Sequence, residues 1–270
     1  MYSVNPTPTL LRTSDSGLPP DSTFNNGPLS FLPLHAAGTY TPNGGLGSRL
    51  SDFAVSSYIP SLAILAKCQE PRISKPKLLT VALPIESALG HAGDEVQLVQ
   101  RITSSNTMIH QLLETDATVE NVKEAMAKCS FVHFACHGLQ DSNQPLQSAM
   151  LLANDTKLTL AEITRLKLPH AQFAFLSACQ TPTGDKKYPE EAMHLAAGML
   201  VAGYQGVIAT MWSIQDSDGP SVTQEFYKYL WKDGKPDVTQ AAYALHYAVE
   251  KLRKESTLFV QWVPFIHMGV

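Results

Sequence analysis

Phe131-Val132-His133-Phe134-Ala135-Cys136 runs into His137-Gly138, and Phe173-Ala174-Phe175-Leu176-Ser177-Ala178 runs into Cys179-Gln180-Thr181. Each is a short apolar run of strand length that stops at a reactive side chain followed by loop residues, as expected of a strand buried on both faces. Set side by side as parallel strands, the two runs bring an imidazole and a thiol to one edge of a sheet. Sites in open α/β sheets form outside the carboxyl ends of the strands. A His beside a Cys there is the minimal equipment for nucleophilic catalysis.

Outward from this pair, strands alternate with helices. Leu78 to Leu83 reads as a buried strand closed by Pro84. Asp94 to about Ser104 has acids in its first turn and Val96, Val99 and Ile102 at helical spacing. Ile109 to Leu113 reads as a strand, and Thr118 caps a helix from Val119 to Lys128. Asn154-Asp155 marks a small hairpin, and Thr159 with Glu162 forms a capping box ahead of a helix near Leu160 to Leu166. Beyond the second strand, Pro189-Glu190-Glu191 opens a helix. Gly206 to Met211 is a strand, Ser217 to Trp231 and Val238 to Lys254 are helices, and Phe259 to Val270 supplies a last strand or sheet edge. Earlier in the chain, Phe53 to Ile59 is a short strand and Ser61 to Lys67 a helical turn or more. The alternation predicts an α/β protein, a three-layer sandwich with a mostly parallel central sheet and helices on both faces. Residues 1–27, rich in Pro, Ser, Thr, Asn and Gly, read as a poorly ordered lead-in, which leaves 28–270 as one domain.

Composition narrows the function classes. The 270 residues are 44% hydrophobic and 16% charged, and the net charge is −4 with no basic block. Nucleic acid is therefore not an expected partner, because phosphate binding needs a positive patch. Ala192 to Trp212 has no Asp, Glu, Lys or Arg and is about as long as a membrane span. Its pattern changes midway around Gly203 and Gly206, so it reads as a buried helix, a turn and a buried strand, with no membrane role. Cys68, Cys129, Cys136 and Cys179 are too few for a disulfide framework in a chain this long, and no hydrophobic leader opens it, which suits a reducing cytoplasm.

Cys179 is the candidate nucleophile; a neighbouring imidazole and loop amides lower a thiol's pKa. His137 is the candidate general base and acid. The N–H groups of Gly138 and Cys179 are candidate oxyanion donors, since glycine lets the backbone approach a ligand closely. Structural readings stand beside these: cysteines are usually buried packing groups, and a lone His is usually a satisfied core or surface residue. His133 and Cys136 point to opposite faces of a strand, and the chain has no C-x-x-C pair. No metal site and no cofactor are expected, and His133 and Cys136 are assigned to core packing. Asp216 and Asp218 follow the strand that ends near Trp212. Either is a candidate for the floor of a pocket selecting a basic side chain, or for the cap of the next helix. Trp212 is pocket wall or core.

With these positions in place, the chain resembles the CHAT domain family, caspase-like peptidases named for their association with tetratricopeptide repeats. The resemblance runs from about Gly27 to Gly269. It rests on Gly27-Pro-Leu-Ser-Phe-Leu-Pro-Leu-His35, Phe131-Val-His-Phe-Ala-Cys-His-Gly138, Leu176-Ser-Ala-Cys-Gln-Thr181, Gly206-Val-Ile-Ala-Thr-Met-Trp212 and Trp262-Val-Pro-Phe265. The first of these is similar to the version in fungal members. The resemblance implies a caspase–separase type fold and a thiol protease with His137 and Cys179 as its dyad. It also implies that Asp216, in the W-x-x-x-D pattern that begins at Trp212, holds a basic side chain before the cleaved bond. The implied partners are a protein or peptide substrate and a tetratricopeptide-repeat or other regulatory protein. The alternative is a catalytically silent interaction or scaffold module with the same fold.

Overall fold

The structure is a computed structural model that describes residues 9–13, 22–23, 32–40, 47–68, 75–83, 92–103, 107–139, 141, 144–177, 192–212, 214, 218–255 and 258–270. In chain order its elements are strands β1 (Thr9–Thr13), β2 (Ser22–Thr23) and β3 (Ala54–Tyr58), helix α1 (Leu62–Cys68), β4 (Lys77–Ala82), α2 (Ala92–Thr103), β5 (Met108–Leu113), α3 (Val119–Lys128), β6 (Phe131–Ala135), β7 (Gly138–Leu139), β8 (Ala149–Leu151) and β9 (Lys157–Thr159). They continue with α4 (Leu160–Ile163), β10 (Phe173–Leu176), α5 (Ala192–Ala202), β11 (Gly206–Thr210), α6 (Asp218–Leu230), α7 (Ala241–Glu255), α8 (Phe259–Trp262) and β12 (Phe265–Gly269).

Among the described residues nine strands form the main sheet, in the order β2-β1-β3-β12-β11-β10-β6-β4-β5. The block β11-β10-β6-β4-β5 is parallel throughout. Its inner strands β11, β10, β6 and β4 are mostly apolar and buried because helices cover both faces, whereas β5 at the edge is largely half-buried or exposed. Leu79, Val81, Val132, Phe134, Ala174 and Leu176 pack towards α1, α3 and α5. Leu78, Phe131, Phe173, Phe175 and Ile208 pack towards α2, α6 and α7. Burying one such side chain contributes about 1.5–3 kcal/mol, so the alternation of large residues to both faces fixes the three layers.

Local signals in the sequence act as expected. The Thr118 hydroxyl accepts from the Asn121 amide at the start of α3, and Thr159 and Glu162 close the capping box of α4. Asn154 and Asp155 take left-handed conformations, φ 57° and 54°, between β8 and β9. The run 192–212 divides into α5 and β11 around Gly203. None of the described helices is long and apolar enough to cross a membrane.

One feature departs from local expectation. The segment after residue 258 first makes the short helix α8, and β12 then lies inside the sheet, between β11 and β3, rather than at an edge. β12 runs antiparallel to β11, with Met268 opposite Val207, and Met268 also pairs with Tyr58. All five residues of β12 are buried, consistent with that interior position. Of residues 1–27 the structure describes only β1 and β2, which pair antiparallel with one another, β1 also pairing antiparallel with β3. The expected helix start at Pro189-Glu190-Glu191 lies outside the described residues.

Candidate active site

The parallel ladder between β10 and β6 places the site. Phe173 pairs with Phe131 and Leu176 with Phe134, so partners carry numbers 42 apart. His137 and Cys179 are 42 apart as well. Ser177 extends the ladder beyond the strand, its amide donating to the Phe134 carbonyl at 2.9 Å. Cys179 itself, like Asp216, lies outside the described residues.

On the β6 side the chain bends at Cys136 and enters β7 at Gly138. His137 is 8% exposed, and its carbonyl accepts from the Leu151 amide at 2.8 Å. Gly138 is opposite Met150 in the antiparallel pair β7–β8. Hydrogen-bonded and non-hydrogen-bonded pairs alternate along such a ladder. Because His137 and Leu151 are a bonded pair, Gly138 and Met150 are not. The Gly138 N–H therefore points away from β8.

Trp212 stands two residues past β11, half-buried against both apolar layers, and its indole N–H donates to the Val260 carbonyl at 3.4 Å. Asp218 is buried at the start of α6, where its Oδ1 accepts from the Gln261 side-chain amide at 3.3 Å. Cys136 packs into the apolar layer opposite the α2 and α6 side, as its strand position requires. Among the described residues no three His, Cys, Asp or Glu side chains come together in a way that could hold a metal ion.

His133 departs from a simple packing role. Its ring is fully buried, stacks on Phe175 at 5.0 Å, and stands 3.4 Å from Glu95 Oε1 and 3.2 Å from the Tyr227 hydroxyl. Glu95, only 3% exposed, also accepts from the Ser177 hydroxyl at 2.9 Å and from the Thr223 hydroxyl. Burial, and then the Glu95 charge, hold the Tyr227 hydroxyl well above its ordinary pKa. By sequence position Glu95 is one of the two acids in the first turn of α2. A signal was present: Glu95, Val99 and Thr103 are four apart on one face of α2, and all three are buried. A carboxylate on an inward stripe needs partners.

A separate cavity of about 230 Å³ lies between α7 and the β3–β12 pair, three strands from β6, lined by His35, Asp52, His246, Glu250, Arg253 and His267 among others.

This sheet, with helices on both faces and a histidine at the carboxyl edge of its parallel block, is the α/β fold of caspase-like cysteine peptidases. Among solved structures, the Arg-specific cysteine proteinase gingipain R (RgpB) of Porphyromonas gingivalis matches with a TM-score of 0.50 and 14% identity over 72% of this chain and 46% of that one. The Saccharomyces cerevisiae separase in its securin complex matches with a TM-score of 0.54 and 16% identity over 82% of this chain and 14% of that one. The chain thus spans less than half of the gingipain chain and about a seventh of the separase chain. No curated protein matches it in sequence. The CHAT domain model matches residues 23–270. The chain belongs to the CHAT domain family.

Proposed function

We propose that the protein is a cysteine endopeptidase working through His137 and Cys179. The observation that carries this reading is the in-register parallel pairing of β6 and β10, since the same offset relates His137 to Cys179. The Cys179 thiolate attacks the scissile carbonyl, forming the C–S bond. The Gly138 and Cys179 N–H groups receive the developing oxyanion, and the orientation of the Gly138 amide away from β8 supports that role. His137, carrying the proton taken from the Cys179 thiol, hands it to the leaving amine as the C–N bond breaks, then takes a proton from the water that attacks the thioester, so that a C–O bond forms and the C–S bond breaks to release the thiolate. No cofactor enters this sequence. Asp216 and Trp212 form the pocket for a basic side chain before the cleaved bond. A regulatory protein, such as a tetratricopeptide-repeat partner, controls access to the site.

A docking role for the same fold is the second reading. Leu258, Phe259 and Val260 are exposed in succession beside Trp212, an apolar rim that suits a protein partner.

Cleavage profiling against a peptide library tests both. The peptidase reading expects cuts by the wild type, with Lys or Arg before the bond, and none by Cys179→Ala or His137→Ala. Wild-type turnover in either variant ends the dyad assignment. No cleavage by any form, with Cys179 unreactive to an electrophilic peptide, favours docking.

A further inference from the structure

Glu95 ties together groups from three elements beneath the carboxyl ends of β6 and β10. Its Oε2 accepts from Ser177, the residue that extends the β10–β6 ladder and precedes Cys179 by two. Its Oε1 accepts from Thr223 of α6 and stands 3.4 Å from Nε2 of His133, on the strand that leads to His137. The other ring nitrogen of His133 is 3.2 Å from the Tyr227 hydroxyl, again on α6. α6 packs closely here: a Cβ added at Gly219 would sit 3.2 Å from the Ser177 hydroxyl, which would have to shift by a few tenths of an ångström.

Burying a carboxylate without compensation is costly, and replacing such a group by an apolar one is often neutral or stabilising. A buried Glu that collects hydroxyls from both the β10 end and α6, and lies against the β6 histidine, is an arrangement for fixing geometry. We infer that Glu95 is a positioning residue: its hydrogen bonds to the Ser177 and Thr223 hydroxyls tie the end of β10 to α6, with the His133 ring of β6 packed against it, and so hold Cys179 at its working distance from His137. The inference rests on the peptidase reading above. Glu95 touches no reacting atom in this scheme. Its effect is to narrow the spread of Cys179–His137 separations, and a misplacement of about 1 Å can cost on the order of a hundredfold in rate.

The test uses the full chain and its Glu95→Gln variant, which keeps the side-chain shape and loses the charge. Iodoacetamide alkylation of Cys179 is followed by peptide mass spectrometry across pH, with glutathione as the reference thiol, beside kcat and KM for the best library peptide. The expected result is a kcat lower by about a hundredfold with KM changed by no more than about twofold. The alkylation midpoint should move up towards the free-thiol value of about 8.5, because a loosened β10 end frees the thiol from the imidazole. Ser177→Ala, which leaves Glu95 its Thr223 contact, should shift both readouts the same way by less, and carries the test if Glu95→Gln does not fold. A purely structural Glu95 would lower the melting temperature and leave the alkylation midpoint and the kcat of the folded fraction unchanged, which overturns the inference alone. A wild-type Cys179 that reacts no faster than glutathione overturns the peptidase reading, and this inference with it.

Discussion

The Ser177 amide donates to the Phe134 carbonyl at 2.9 Å, one residue beyond the last strand residue of β10. The parallel register is therefore enforced past the strand end, towards the residues proposed to react. Register matters because a slip of one residue would turn every side chain of β10 to the opposite face. Phe175 would then leave the α6 layer, and the Ser177 hydroxyl would leave Glu95.

Phe175 is the packing key to that register. It is buried, stacks on His133, and meets Phe226 at 5.2 Å and Tyr227 at 5.8 Å. Phe175→Ala should lower unfolding stability by about 3–5 kcal/mol, read as a lower urea midpoint. A loss below about 1 kcal/mol would mean that the site collapses around the deletion and that the ring contacts do not hold β10 in place.

Thiol labelling should be selective in the native state. Cys68, Cys129 and Cys136 are all buried, and burial raises the Cys129 thiol above its ordinary pKa. If Cys179 is the nucleophile, a small electrophile at neutral pH should add one label per chain, at Cys179, and four after unfolding. Fast native labelling at Cys136 would contradict the packing of β6. The three buried thiols are poor rate standards for the same reason, so an external thiol is the proper comparison.

Acid should weaken the fold through His267. Burial lowers its pKa to about 3. Nδ1 pairs with the Ser57 hydroxyl at 2.8 Å, which in turn donates to the Gly269 carbonyl, and Nε2 has no hydrogen-bond partner among the described residues. The unfolded residue titrates near 6.5. Between these values the unfolded chain carries a proton that the folded chain refuses. Stability should therefore fall as pH drops below about 6.5, by about 1.4 kcal/mol per pH unit for this group, until about pH 3. His267→Gln should flatten the slope measured by urea denaturation between about pH 6 and about pH 5 by close to one proton. An unchanged slope would show that His267 is not the group responsible.

Gly269 should not tolerate a side chain. Its φ is +121°, and a Cβ would lie 2.2 Å from the Gln205 carbonyl oxygen, a backbone atom that cannot swing aside. Gly269→Ala should cost on the order of 1–3 kcal/mol or more, seen as a lower melting temperature. A neutral outcome would mean that the β11–β12 pair ends differently from the register described.

The helices and parallel strands were legible because their signals are short. The Thr159–Glu162 capping box spans four residues, the Val96–Val99 stripe one helical turn, and the apolar runs of β4, β6 and β10 four to six residues. The interior place of β12 was not legible. Its five residues read equally well as an edge, and only pairing with β11 on one side and Tyr58 on the other decides the matter. At the candidate site, His137 and Gly138 followed from the strand end, whereas Glu95 looked like an ordinary first-turn acid.

Periodicity, caps and turn residues determined the elements and their α/β order, because each acts within a few neighbours along the chain. Tertiary structure alone decided which strands became neighbours and which polar groups met beneath them. Glu95 finds Ser177 across 82 residues and Thr223 across 128. Contacts that distant carry no local signature, since the energy that makes a buried carboxylate tolerable comes from partners that only the folded sheet and α6 bring within reach.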